Sequence, residues 1–90
     1  MKKINFIGYY SKYGNYKVTE DLIGKYILAT NYLNLGGYSF VGIIIDVYRV
    51  KIVKRLDTDK SHSTTNHIFK YMSDRTYYLL DNEEALGYLL

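Results

Sequence analysis

The side chains best suited to chemistry gather in two stretches. Asp57, Asp59, His62 and His67 lie in a polar segment, while Arg49, Lys51, Lys54 and Arg55 crowd a strand-like one. Imidazoles beside carboxylates are possible metal ligands. Two imidazoles beside Lys60 or Arg55 could act as acid, base and phosphate holder in a small metal-independent nuclease. Neither pattern is complete. Asp57-Thr58-Asp59-Lys60-Ser61 opens like a calcium loop, but His62 stands where that loop needs glycine and Ile68 where it needs glutamate. Nothing local fixes the two imidazoles relative to each other. Glu83 and Glu84 are adjacent, so on a helix they diverge by about 100° and make a poor carboxylate pair. The glycines fit no phosphate-binding motif. The reading assigns no catalytic residue, metal ligand or cofactor.

The basic stretch is more suggestive. With Val50 and Ile52 facing a core, the alternation of a strand places Arg49, Lys51 and Arg55 on the opposite face, beside Lys54 and Lys60. That is a basic patch on which anions, nucleic-acid phosphates included, could sit. A second candidate surface is the tyrosine group Tyr9, Tyr10, Tyr13 and Tyr16. Twelve of the ninety residues are tyrosine, a side chain that presents a rigid apolar ring with a polar tip. Four of them on and beside one turn cannot all be core.

The elements that must carry these residues follow from patterning. Residues 4–10 read as a strand, Ser11–Asn15 as a turn, and Tyr16–Thr19 as a short returning strand. Residues 19–37 read either way. A helix has Thr19 as N-cap, Glu20 and Asp21 in its first turn, an apolar stripe at Leu22, Ile23, Tyr26, Ile27 and Leu33, and Gly36-Gly37 as its stop. The strand reading breaks at Gly24 and resumes at Lys25. The helix is the favoured expectation.

Residues 38–57 read as a β-hairpin. The apolar set is odd at Val41, Ile43 and Ile45, and even at Tyr48, Val50, Ile52 and Leu56. A turn at Asp46–Arg49 reconciles the two, with Ile43 opposite Ile52 and Ile45 opposite Val50, all buried. One long strand bulged at Val47 is the competing reading. Residues 57–66 read as a loop. Ile68–Met72 and Thr76–Leu80 read as a second hairpin. Asp81 with Glu84 makes a capping box for a helix over Asn82–Leu89.

The expected fold is a single α+β domain over residues 1–90, with a small antiparallel sheet of about five strands and one or two helices. If residues 22–35 were strands instead, Leu22-Ile23-Gly24-Lys25 with Phe40-Val41-Gly42-Ile43 would resemble a small SH3-like β-barrel. A domain this small buries only roughly 60–65% of its unfolded surface, leaving little room for an enclosed active site.

Zero cysteines exclude disulfides and thiolate chemistry. No secretory leader or membrane span is read, which points to the cytoplasm. The net charge of +3 divides as +3, +2 and −2 over successive thirty-residue thirds, which favours an anionic partner. Lys (9), Tyr (12), Ile (9) and Asn (6) make 36 of 90 residues, amino acids of A/T-rich codons. These observations point to a non-enzymatic small binding protein of a phage or mobile element, acting in the host cytoplasm. It would inhibit or modulate a host protein, in the manner of an anti-CRISPR or other anti-defence factor. The second reading is a DNA- or RNA-binding protein using the basic strand face, and the third is the small nuclease.

Overall fold

A computed structural model describes residues 1–6, 16–31, 39–56, 67–71 and 75–90. Among these residues six strands form one antiparallel sheet: β1 (Lys2–Lys3), β2 (Tyr26–Asn31), β3 (Phe40–Ile44), β4 (Arg49–Arg55), β5 (Ile68–Lys70) and β6 (Arg75–Leu80). Among them too, one α-helix, α1 (Asn82–Leu89), follows β6. The order across the sheet is β1-β6-β2-β3-β4-β5. The sheet is open, so the α+β expectation holds and the closed SH3-like barrel does not: β6 returns against β2, and β1 and β5 stand at opposite edges.

Both faces of the sheet carry apolar clusters. The inner face packs Ile27, Ala29, Phe40, Ile44, Val50, Ile52 and Tyr77 against Ile4, Val18 and Tyr71, with Phe6, Tyr16, Leu22 and Leu79 at the margin. The outer face packs Leu28, Val41 and Leu80 against Ala85 of α1, flanked by Tyr26, Leu56, Tyr78, Tyr88 and Leu89.

The two-sided burial explains why residues 19–37 misled. β2 lies centrally, with Ile27, Leu28 and Ala29 all buried. A strand covered on both faces loses the period-2 signature, and its unbroken apolar run imitated a helical stripe. The start signal at Thr19 is real, but it opens a single 3-10 turn over Glu20–Leu22, without a side-chain cap bond. Gly24 ends the turn at φ +88°, a conformation that glycine enters without steric penalty. Its N–H donates to Ile44 O at 2.8 Å, which delivers Lys25 into the sheet. Gly36-Gly37 lies outside the described residues.

The first hairpin exists with a different register. Gly42 pairs with Ile52, Ile43 with Lys51, and Ile44 with Val50. Ile44 is therefore the buried isoleucine, while Ile43 and Ile45 are half-buried and Tyr48 is exposed. The turn sits where expected: Ile45 N–H donates to Arg49 O at 3.2 Å. The Asp46 carboxylate accepts from Tyr48 N–H at 2.8 Å and from Arg49 Nε at 2.8 Å. This side-chain scaffold replaces the glycine or asparagine that a tight primed turn would need. Close approach sets the register. A Cβ on Gly42 would lie 2.6 Å from Val50 Cγ2 and 2.9 Å from Lys51 O, so this inner-face position takes only glycine.

Further along, the register shifts between Val41 and Gly42: Val41 pairs with Lys54, and Phe40 with Arg55. Val53 is the extra residue of a β-bulge. Its consequence is a parity reset. Leu56, expected beside Val50 and Ile52, joins the outer cluster instead.

Three further expectations are corrected. β5 and β6 are not a hairpin: β5 pairs with β4 and β6 with β2 and β1. The antiparallel chain of pairings makes β5 and β6 run in the same direction, which no hairpin allows. Tyr71, just after β5, is buried in the inner core with its ring 5.2 Å from Tyr77 in an edge-on contact. Its apolar burial, not pairing with β6, governs that end of the chain. At the N-terminus the strand is Lys2–Lys3; residues 4–6 are not strand, and residues 7–10 lie outside the described residues. Ile4 still donates its N–H to Tyr77 O at 2.8 Å, and Phe6 stacks into the aromatic core. Tyr16–Thr19 is not a strand, though Val18 N–H donates to Val47 O at 2.9 Å. The Ser11–Asn15 turn lies outside the described residues.

The C-terminal helix stands as read. Asp81 Oδ1 accepts from Glu84 N–H at 2.7 Å, and Glu84 Oε1 accepts from Asp81 N–H at 3.2 Å. These are the two reciprocal bonds of a capping box. The helix lies across β2, β3 and β6 and covers only part of the outer face.

Candidate binding face on the outer side of the sheet

Where α1 stops, the outer face continues as a row of cross-strand neighbours: Leu80, Tyr26, Ile43, Lys51 and Ile68. Beside it, Arg49 pairs with Lys70, and Ile45 sits at the turn. Ile68 is 50% exposed and Tyr48 44% exposed. Cationic and apolar side chains thus share a partly uncovered face on β3, β4 and β5.

The four basic residues expected to form one patch are separated by the bulge. Arg49 and Lys51 lie on the outer face. Lys54 does too, but its Nζ donates to Tyr88 O at 2.9 Å, which pins the last turn of α1 to β4. A cation at that position satisfies carbonyls left open at a helix C-terminus. Arg55 pairs with Phe40, whose ring belongs to the inner core, so it leaves the outer face. Arg49 is held by Asp46, with Nη2 to Oδ2 at 2.7 Å. The Arg49 guanidinium, accepted by the Asp46 carboxylate, holds that carboxyl below its ordinary range. Lys51 and Lys70 make no ion pair among the described residues. Lys70 and Ile68 were missed because they come after residues 57–66, which read as a loop in the sequence, on a strand read as part of another hairpin. The alternation Ile68-Phe69-Lys70 was the only available signal.

The tyrosine surface fares differently. Tyr9, Tyr10 and Tyr13 lie outside the described residues. Tyr16 is half-buried, 5.6 Å from Phe6. Tyr71 and Tyr77 are core, and Tyr26, Tyr78 and Tyr88 pack on the outer cluster. Among described tyrosines, Tyr48 alone is exposed. Most of the described tyrosines therefore serve packing.

Asp57, Asp59, Lys60 and His62 also lie outside the described residues. His67 is exposed, and its carbonyl accepts from Ile52 N–H at 2.8 Å. Among the described residues no group of three or more His, Asp or Glu is placed to hold a metal, and no helix is long and apolar enough to cross a membrane. An open cleft of about 700 Å³ lies by the start of α1, lined by Lys2, Lys25, Tyr26, Asp81 and Glu84 among others. Its carboxylates already have structural roles. Asp81 caps α1, and Glu84 closes the capping box while accepting from the Met1 amine at 2.7 Å. Glu84 holds that amine's pKa above its usual value.

Comparison with protein-family models, curated proteins and solved structures finds no match for this chain.

Proposed function

We propose that this chain is a non-enzymatic binding protein that docks on a host protein through the uncovered outer face of β3, β4 and β5. The carrying observation is the juxtaposition of half-exposed Ile68 with Lys51 and Lys70 on a sheet that α1 only partly covers. Apolar anchors ringed by charge are the composition of a protein-docking surface. Codon-biased composition and small size support the finer reading: a phage or mobile-element factor that modulates a host defence or replication protein in the cytoplasm. Nucleic acid is the weaker partner class. Lys54 is spent on the helix terminus, Arg49 on Asp46, and Arg55 is turned away. Among the described residues too few cations remain on this face for the many phosphate contacts of a dedicated nucleic-acid binder.

The test is a pull-down from lysate of a low-GC bacterium, with and without nuclease. Native chain is compared with the Ile68→Asp/Lys51→Glu variant. The reading expects a nuclease-resistant protein partner retained by the native chain and lost by the variant, with the variant's melting temperature unchanged. Capture that disappears with nuclease, or that survives the double change, overturns it.

A further inference from the structure

Resting on that docking face, we infer that the partner presents an extended segment of alternating acidic and apolar residues, which adds as a strand to the β5 edge. Among the described residues β5 pairs with β4 alone. Ile52 N–H bonds to His67 O, which makes Ile52–His67 a hydrogen-bonded pair. By antiparallel alternation Val50–Phe69 is the next. The N–H and C=O groups of Ile68 and Lys70 therefore point away from β4, toward the side where no described strand pairs. An edge that no described strand covers is a template for another strand.

The side chains supply the specificity. Ile68 and Lys70 share the outer face with Lys51 and Arg49, as their pairings require. Lys70 stands directly opposite Arg49, and like charges so placed destabilise a sheet. Arg49 is answered by Asp46; Lys70 and Lys51 await an anion. A strand laid along β5 would place every second side chain on this face. A carboxylate beside Lys70 and an apolar group beside Ile68 complete the row. A second copy of this chain is the poorer occupant, because β5 against β5 would set two such basic rows side by side.

The probe is a fluorescein-labelled, capped decapeptide alternating glutamate and valine on one face with threonine on the other. Controls replace glutamate by lysine, replace the central valine and one flanking threonine by proline, which removes an inward N–H in either strand direction, or use a glutamate-only peptide of equal charge. Fluorescence anisotropy at physiological salt should show saturable binding. The proline and lysine peptides should bind at least tenfold more weakly, because they lose main-chain pairing and charge match respectively. The glutamate-only peptide should also be at least tenfold weaker. Lys70→Glu should cost about tenfold, and amide exchange at Ile68 and Lys70 should slow on peptide addition. Equal binding of the proline or glutamate-only peptide, no effect of Lys70→Glu, absence of saturable binding, or dimerisation of the free chain would each overturn the inference. If the peptide fails while the pull-down still depends on Ile68 and Lys51, the docking face stands and only the strand-addition mode falls. If both fail, the face itself falls.

Discussion

The two faces of the sheet are built from the same residue types and do different work. The inner face is closed: Phe40, Tyr71 and Tyr77 are almost fully excluded from solvent, and Phe6 and Tyr16 pack at their margin. The outer face is closed only over Leu28, Val41 and Leu80, where α1 lies, and stays partly open at Ile43, Ile45, Lys51 and Ile68. In so small a domain the inner cluster must supply most of the stability. That leaves the uncovered part of the outer face free to be selected for binding.

The sharpest way to break this comparison is to truncate neighbouring isoleucines on opposite faces. Ile52→Ala empties a fully buried inner-face site and should cost about 2–5 kcal/mol. That is a large part of the ~5–15 kcal/mol typical of a domain. Ile43→Ala removes a half-buried outer-face side chain and should cost under half as much. Urea titration of both variants measures the difference. Equal losses would mean that the outer face is as closed as the inner one.

The same contrast decides what could be read from sequence. The helix was legible to the residue because its signal is local: Asp81 and Glu84 bond to each other's backbone across three positions. β4 was legible because one of its faces is wetter than the other, so Val50 and Ile52 alternate with Arg49 and Lys51. β2 was not legible, since burial on both sides erases alternation. Hairpin register failed by one residue because the close approach at Gly42 and the bulge at Val53 are set by strand contacts, not by composition. The β5–β6 pairing failed because sequence adjacency says nothing of a chain that must carry Tyr71 through the inner core. For the binding face, Arg49 and Lys51 were visible. Lys70 and Ile68 became part of it only through pairing with β4.

The helix offers the next test. Asp81→Ala removes the side-chain acceptor of the capping box and should cost about 1 kcal/mol. The loss should be concentrated on the outer face, with faster amide exchange in α1 and at Lys54 while the inner strands stay protected. Uniform loss of protection would tie the two faces into one cooperative unit.

The inner face carries one flaw that should be repairable. Tyr71 is buried and its hydroxyl has no hydrogen-bond partner among the described residues. Burial drives the phenol pKa upward, so it stays neutral. An unsatisfied buried hydroxyl costs desolvation that a phenylalanine avoids. Tyr71→Phe should therefore stabilise the chain by up to about 1 kcal/mol, seen as a rise in Tm. A fall in Tm would show that the hydroxyl has found a partner.

The smallest expected effect lies at the hairpin turn that leads into the outer basic row. Arg49 lowers the pKa of Asp46, so Asp46 binds its proton less readily folded than unfolded. The stability it contributes is present above the unfolded carboxyl pKa of about 4 and is lost as pH falls through the lower folded value. Both side chains are substantially exposed, 51% for Arg49 and 34% for Asp46, so solvent screening holds the pair to about 0.2–1 kcal/mol. Arg49→Ala should be less stable than the native chain by that amount at neutral pH and low salt. The gap should shrink with added salt and close at a pH well below the folded value, where Asp46 is neutral in both. If the gap persists in acid, Arg49 acts through its aliphatic stem on the outer face and not through Asp46.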